Sequence, residues 1–408
     1  MTSILFRNVR LIDPAAGVDR PGDLLVADRH IVACGDALVP PDGTDIIDGR
    51  GRVLAPGLVD AGVFRADIEA CIAGGITTIV LMPDQSPPLD DPALIERAER
   101  LGKPRLWVRP LAAATRGLRG RELAELGLMQ EAGAVAVATG RAAIADSGVM
   151  LRMLRYAAGL GLVVVSHAED PGLVVGAVAT EGEYATRLGL AAASAAAEAI
   201  QIARDLRLAR EAGARLHFAA VTTAEGVALV RAARAAGQDV TAATTPEAFL
   251  LNETALAGYR SFARLSPPLR LEADRLAVRK GLADGSIEMI GSRHDPRTVE
   301  DKRQPFSDAA PGAAGAAILL PLSLSLVHDG VISLLRLLQL VSSQPASRFD
   351  LPVGSLAAGA PADLVLLSPD APWRIAAETL PGLAGNTPFD GLPVQGRVDM
   401  LLKGGERL

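Results

Sequence analysis

Over residues 1 to about 57, apolar and polar positions alternate in short runs such as Ile4-Leu5-Phe6 and Leu24-Leu25-Val26, broken by Asp-Pro, Pro-Gly and Asp-Gly pairs. A period of two between turn formers predicts antiparallel strands with one buried face. From about residue 352 the same texture returns, in Ala362-Asp363-Leu364-Val365-Leu366-Leu367 and in Gly396-Arg397-Val398-Asp399-Met400-Leu401-Leu402. The two ends, 1–57 and 352–408, are therefore expected to form one small composite β domain.

Between them the rhythm changes. Short apolar runs alternate with longer helical patterns over 58–351, as repeated βα units around a parallel sheet require. Strands are predicted at Thr77–Met82, Leu106–Leu111, Val163–Ser166, Arg215–Ala220, Val240–Ala243 and Ile287–Ile290. Helices are predicted at Arg121–Glu131, at Asp146–Leu160 with Asp146 as N-cap, and at Tyr184–Ala212 with Gly213 as the stop; the Ala-rich run Ala191–Ala199 falls inside the last. With the strand count approaching eight, the expected fold class is α/β, a closed (β/α)₈ TIM barrel, in which chemistry gathers at the carboxyl ends of the strands.

Composition changes this picture little. Of 408 residues, 49% are hydrophobic and 22% charged, which suits an ordered globular chain. A net charge of −6, with both signs mixed along the sequence, offers no basic stripe for nucleic acid. Cys34 and Cys71 are too few for a disulfide framework or a four-thiolate zinc site. The N-terminus meets a charge too soon for a signal peptide, so a cytoplasmic location is expected. The apolar stretch Ala309–Val327 is broken by Pro311, Pro321, Ser323 and Ser325, and reads as a buried barrel helix rather than a membrane span.

Several segments carry a resemblance in sequence order. They are Val53-Leu54-Ala55-Pro56-Gly57-Leu58-Val59-Asp60, Ala73-Gly74-Gly75-Ile76-Thr77-Thr78 with Met82-Pro83-Asp84, Ser166-His167-Ala168-Glu169-Asp170, Pro267-Pro268-Leu269-Arg270, Lys302–Gly315, and Ser355–Val365. Together they resemble the dihydroorotase family of the amidohydrolase superfamily across nearly the whole chain. The resemblance implies a barrel whose mouth holds one or two zinc ions, which polarise a cyclic amide and lower the pKa of a bound water.

The motif positions that would supply ligands are mostly changed. The family's His-x-His pair follows the first-strand Asp; here Asp60 is followed by Ala61-Gly62-Val63-Phe64, and neither Gly62 nor Phe64 ligates metal. The bridging carboxylated lysine or Asp has no counterpart in Ala136-Val137-Ala138-Thr139-Gly140-Arg141. His167 matches a retained ligand, while Ala220 stands where another His belongs. In Ser292-Arg293-His294-Asp295-Pro296-Arg297, Arg293 takes the place of the catalytic Asp and Arg297 that of the substrate-contacting His. A guanidinium stays protonated, and at ~4 Å it opposes each unit of positive charge by about 4 kcal/mol at a surface-like dielectric. Of the groups expected to hold the substrate carboxylate, Arg65 lies near the family's Arg, and Asp84 replaces its Asn with a negative charge.

Bland roles are expected for the remaining candidates. One imidazole does not hold zinc tightly, so His167 reads as a packed strand-end residue. His217 is expected in the barrel wall or helix layer. His294 and Asp295, adjacent on a strand, should face opposite ways and act independently. Asp301, Lys302 and Arg303 read as a solvated charge run, and Gly74-Gly75 as a tight turn. The expected function is a non-catalytic homologue without a cofactor. By resemblance to inactive dihydroorotase-like chains as a class, it would assemble in a hetero-oligomer with the aspartate transcarbamoylase catalytic chain. Two alternatives stand beside this: a cyclic amidohydrolase with an atypical zinc site around His167 or none, and a sensor in which Arg65, Arg293 and Arg297 bind an anionic metabolite.

Overall fold

The computed structural model describes residues 3–408. Eight parallel strands follow one another around the barrel in sequence order: β1 (Leu58–Val63), β2 (Ile76–Leu81), β3 (Trp107–Ala113), β4 (Ala136–Ala138), β5 (Val163–Ser166), β6 (Arg215–Phe218), β7 (Val240–Thr244) and β8 (Met289–Ile290). Most of their residues are buried on both faces, which is why they read as largely continuous apolar runs. Val80, Leu111, Val163, Val165, Ala243 and Met289 fill the interior. Ile79, Leu81, Val164, Leu216 and Phe218 pack outward against the helices.

The barrel closes by side chain rather than by ladder at its seam. The Ser292 backbone N–H (2.8 Å) and hydroxyl both donate to the Asp60 carboxylate. Just beyond, the Phe64 N–H donates to the His294 carbonyl at 3.0 Å. Asp60 is fully buried, and burial pushes its carboxyl up to about 6 despite those bonds.

The second sheet joins the two chain ends, as the returning alternation predicts. Val53–Pro56 runs parallel to Ser3–Asp13 on one side and antiparallel to Leu364–Arg374 on the other, and Pro393–Lys403 continues the sheet outward. Phe6, Leu24, Leu54, Leu364, Leu366 and Leu402 form its core.

Several elements differ from expectation. Tyr184–Ala212 is not one helix: Glu183–Leu188 stops at Gly189 (φ +64°), Ala192–Ala193 pairs with Ala179–Thr180, and the helix restarts as Ala196–Ala212 before Gly213. Arg121–Glu131 is helical only over Leu126–Glu131, because Leu123 is drawn into a bridge with Thr115. The apolar stretch is helical over Leu319–His328, within a buried layer. Ser147–Gly159 keeps its predicted cap, the Asp146 carboxylate accepting from Val149 N at 2.8 Å. Among the described residues no helix is long and apolar enough to cross a membrane.

Lys302 corrects the reading of a solvated charge run. It is 4% exposed, and its Nζ donates to the carbonyls of Ala310 (2.8 Å), Ser261 (3.1 Å) and Arg264 (3.3 Å), tying the loop after β8 to the segment before it. Burial, then Arg297 and Arg264, pull its amine down to about 8.

Candidate functional site

The carboxyl ends of the strands converge on a small open cleft, lined by residues that include Phe64, Arg141, Thr245, Glu247, Ser266, Arg293 and Asp295. Phe64 is buried at the end of β1, and two guanidinium groups lie over its ring, Arg141 at 3.8 Å and Arg293 at 5.1 Å from the centroid. Aromatic faces attract cations, which offsets part of the repulsion between the two like charges. Arg141, which follows β4, is fixed twice: its N–H donates to Asp84 Oδ1 (2.9 Å), and its Nη1 to Asp295 Oδ2 (2.6 Å). Arg297 Nη2 donates to the same Asp295 oxygen at 2.6 Å, and its Nε to the Pro311 carbonyl at 2.8 Å. Burial raises the Asp84 carboxyl pKa against the pull of Arg141 and Arg293.

Arg293 is a non-glycine residue in the left-handed region (φ +45°). Burial and then the neighbouring Arg141 lower its pKa. His294 turns away from the mouth. Its Nδ1 accepts the N–H groups of Gly315 (3.1 Å) and Ala316 (3.2 Å), leaving Nε2 to donate to Asp67 at 3.3 Å. His294 and Asp295 have different partners, but both lie past the strand that ends at Ile290, so strand alternation is not what separates them. Arg65 is exposed and does not line the cleft, so the structure does not bring it together with Arg293 and Arg297.

His167, at the end of β5, faces a second buried network. Its Nε2 lies 3.3 Å from Glu169, whose other oxygen accepts from Arg270 at 2.8 Å. Arg270 also donates to Thr222 and Thr180, and lies 3.6 Å from Glu198. Glu198 takes the N–H groups of Thr222 and Thr223 and both their hydroxyls. His217 points into the barrel interior, its Nδ1 paired with Thr241 Oγ1 at 2.8 Å and its ring edge-on to Phe349.

Residues 43–408 match the amidohydrolase family, and a dihydroorotase of Pelobacter propionicus is 38% identical over 97% of this chain and 96% of its own length. The chain belongs to the amidohydrolase superfamily, in its dihydroorotase-like family. A dihydroorotase-like protein of Pseudomonas aeruginosa is 37% identical over 99% of this chain and 98% of that one. Among solved structures, the L-hydantoinase (dihydropyrimidinase) of Arthrobacter aurescens covers 100% of this chain and 96% of its own with a TM-score of 0.90 at 26% identity. The dihydropyrimidinase of Brevibacillus agri, at TM-score 0.86 and 23% identity over 100% of this chain and 95% of that one, supports the fold alone.

The mouth of this dihydroorotase-like chain does not fit the zinc centre that its family implies. Gly62, Phe64 and Ala220 offer no ligand atom, Arg293 brings a cation, and His167 is directed to Glu169. Among the described residues no three His, Cys, Asp or Glu side chains converge as a metal site would need. A Cβ on Gly62 would meet nothing within 4 Å, although its φ of +87° favours glycine. Arg141 and Glu198 were not singled out from the sequence. Arg141 stands in the segment read only for its lack of a lysine or Asp, and Glu198 sits in an Ala-rich helix with nothing local to mark it.

Proposed function

We propose that this chain is a non-catalytic dihydroorotase homologue that serves as a structural or regulatory partner of aspartate transcarbamoylase in pyrimidine synthesis. One observation carries the non-catalytic part: Phe64 occupies a ligand position and packs against the guanidinium groups of Arg141 and Arg293. Opening a cyclic amide without a metal would need another source of activated water and of charge for the developing oxyanion. His167, the surviving ligand-type residue, is committed to Glu169. The partnership rests on the resemblance to inactive chains of this family that assemble with the transferase.

Identity does not separate this reading from catalysis. Relatives named dihydroorotase and dihydroorotase-like protein stand at 38% and 37%. The competing reading is a cyclic amidohydrolase with an atypical centre. Metal analysis of the purified chain together with a dihydroorotase assay in both directions decides between them; no zinc and no turnover is the expected result. Chelator-sensitive turnover would reject the non-catalytic reading. Copurification with the transferase, and loss of transferase activity on deleting this chain, are expected for the partnership, which a solitary chain without effect on the transferase would refute.

A further inference from the structure

The guanidinium of Arg293 forms neither an ion pair nor a hydrogen bond with any described residue, and its Nη1 is fully buried in that condition. Of the surrounding carboxylates, Asp295 is bound to Arg141 and Arg297 and Glu169 to Arg270 and His167, while Asp84 and Glu247 act on Arg293 by charge without a hydrogen bond to it, and Asp84 Oδ2 has no donor. The Arg293 side chain is half-buried, and a guanidinium nitrogen held out of water without an acceptor is unfavourable; a strained backbone conformation holds it just beyond the strand end. In the same cleft, Asp295 Oδ1 is a buried acceptor without a donor. The lining thus presents an unmatched donor and an unmatched acceptor together. Glu247 also lines the cleft, and burial raises its carboxyl pKa, which favours the neutral form beside an anion.

We propose that the mouth of this barrel binds a small hydroxy- or amino-carboxylate, its carboxylate paired with Arg293 and its O–H or N–H donated to Asp295. A planar carboxylate matches the guanidinium fork. A phosphate dianion would match it too and keeps one O–H, but it would place more negative charge beside Asp295. Of the three arginines expected to take an anion, Arg65 lies outside the cleft and Arg297 is held by Asp295 and Pro311, which leaves Arg293.

Isothermal titration of the full chain at neutral pH and constant ionic strength, with glycolate, acetate and inorganic phosphate, tests this. Glycolate should saturate one site, acetate should bind about tenfold more weakly for lack of the donor, and phosphate no better than acetate. Arg293→Met should weaken glycolate at least tenfold, and Arg293→Lys by less, with circular dichroism confirming that both variants are folded. Three results would each overturn the proposal: no saturation by glycolate, equal glycolate binding by folded Arg293→Met, or tighter binding of phosphate. The proposal rests on a mouth without zinc and not on any partner. Zinc in the same sample would defeat the proposed function as well, whereas a zinc-free chain indifferent to glycolate defeats this inference alone.

Discussion

Single residues in the barrel set how this protein responds to acid. His217 is buried, and burial followed by Arg348 takes its pKa to about 3. A histidine in the unfolded chain titrates near 6.5, so below that pH the unfolded state binds a proton that the folded state refuses, and stability falls as pH falls. Between pH 7 and pH 5 this should cost about 2 kcal/mol. Urea unfolding at both pH values checks it: His217→Gln, which can still bond Thr241, should flatten the difference, and an unchanged slope would show that another group causes it. Arg293 gives a second prediction at this scale. Removing a half-buried cation that has no carboxylate partner and lies beside Arg141 should stabilise rather than destabilise, so Arg293→Met in carboxylate-free buffer should gain up to about 1 kcal/mol. A loss of stability in that buffer would mean that the guanidinium has a protein partner in solution.

At the scale of elements, the helix Ala196–Ala212 matters through its first turn, where Glu198 takes two backbone N–H groups and two hydroxyls from Thr222 and Thr223 beyond β6 and faces Arg270. Glu198→Gln keeps the shape but turns an acceptor into a donor facing donors, and should cost about 3 kcal/mol as measured by chemical unfolding. A cost near zero would show that the network is not held together by this carboxylate. The same region marks where sequence reading stopped. Barrel strands were legible because burial on both faces leaves continuous apolar runs, and the Asp146 cap because its signal lies within one turn. The break at Gly189 was missed because an Ala-rich composition favours helix, while the pairing of Ala192–Ala193 with Ala179–Thr180 is a tertiary contact with no local signature. Lys302 was misread for a related reason: its three carbonyl partners come from Ser261, Arg264 and Ala310. Lys302→Met should free the loop after β8, seen as nicking within 298–312 at least several-fold faster in limited proteolysis; unchanged nicking would place the restraint elsewhere.

Across the whole molecule, the fold follows the family while the barrel mouth carries side chains that do not fit the family's zinc centre. The barrel and its second sheet follow the family, and motif order alone assigns Gly62, Phe64, Ala220 and Arg293 to the positions where the resemblance implies metal ligands. What fills the site was not legible, because Arg141 reaches Phe64 and Asp295 only through the folded barrel. This has a consequence for restoring the centre. Phe64→His alone should bind no zinc, because it adds one imidazole to His167 while Arg141 and Arg293 keep two positive charges over the site. Gly62→His, Phe64→His, Ala220→His and Arg293→Asp, combined with Arg141→Ser, would place four new donors beside His167 and remove both cations. About one zinc per chain by elemental analysis is expected for this folded combination, against none for the single variant. Zinc bound by the single variant would show that the guanidinium groups are no barrier. A folded but metal-free combination would show instead that the backbone has drifted from the family's geometry, and that loss of the centre extends beyond its side chains.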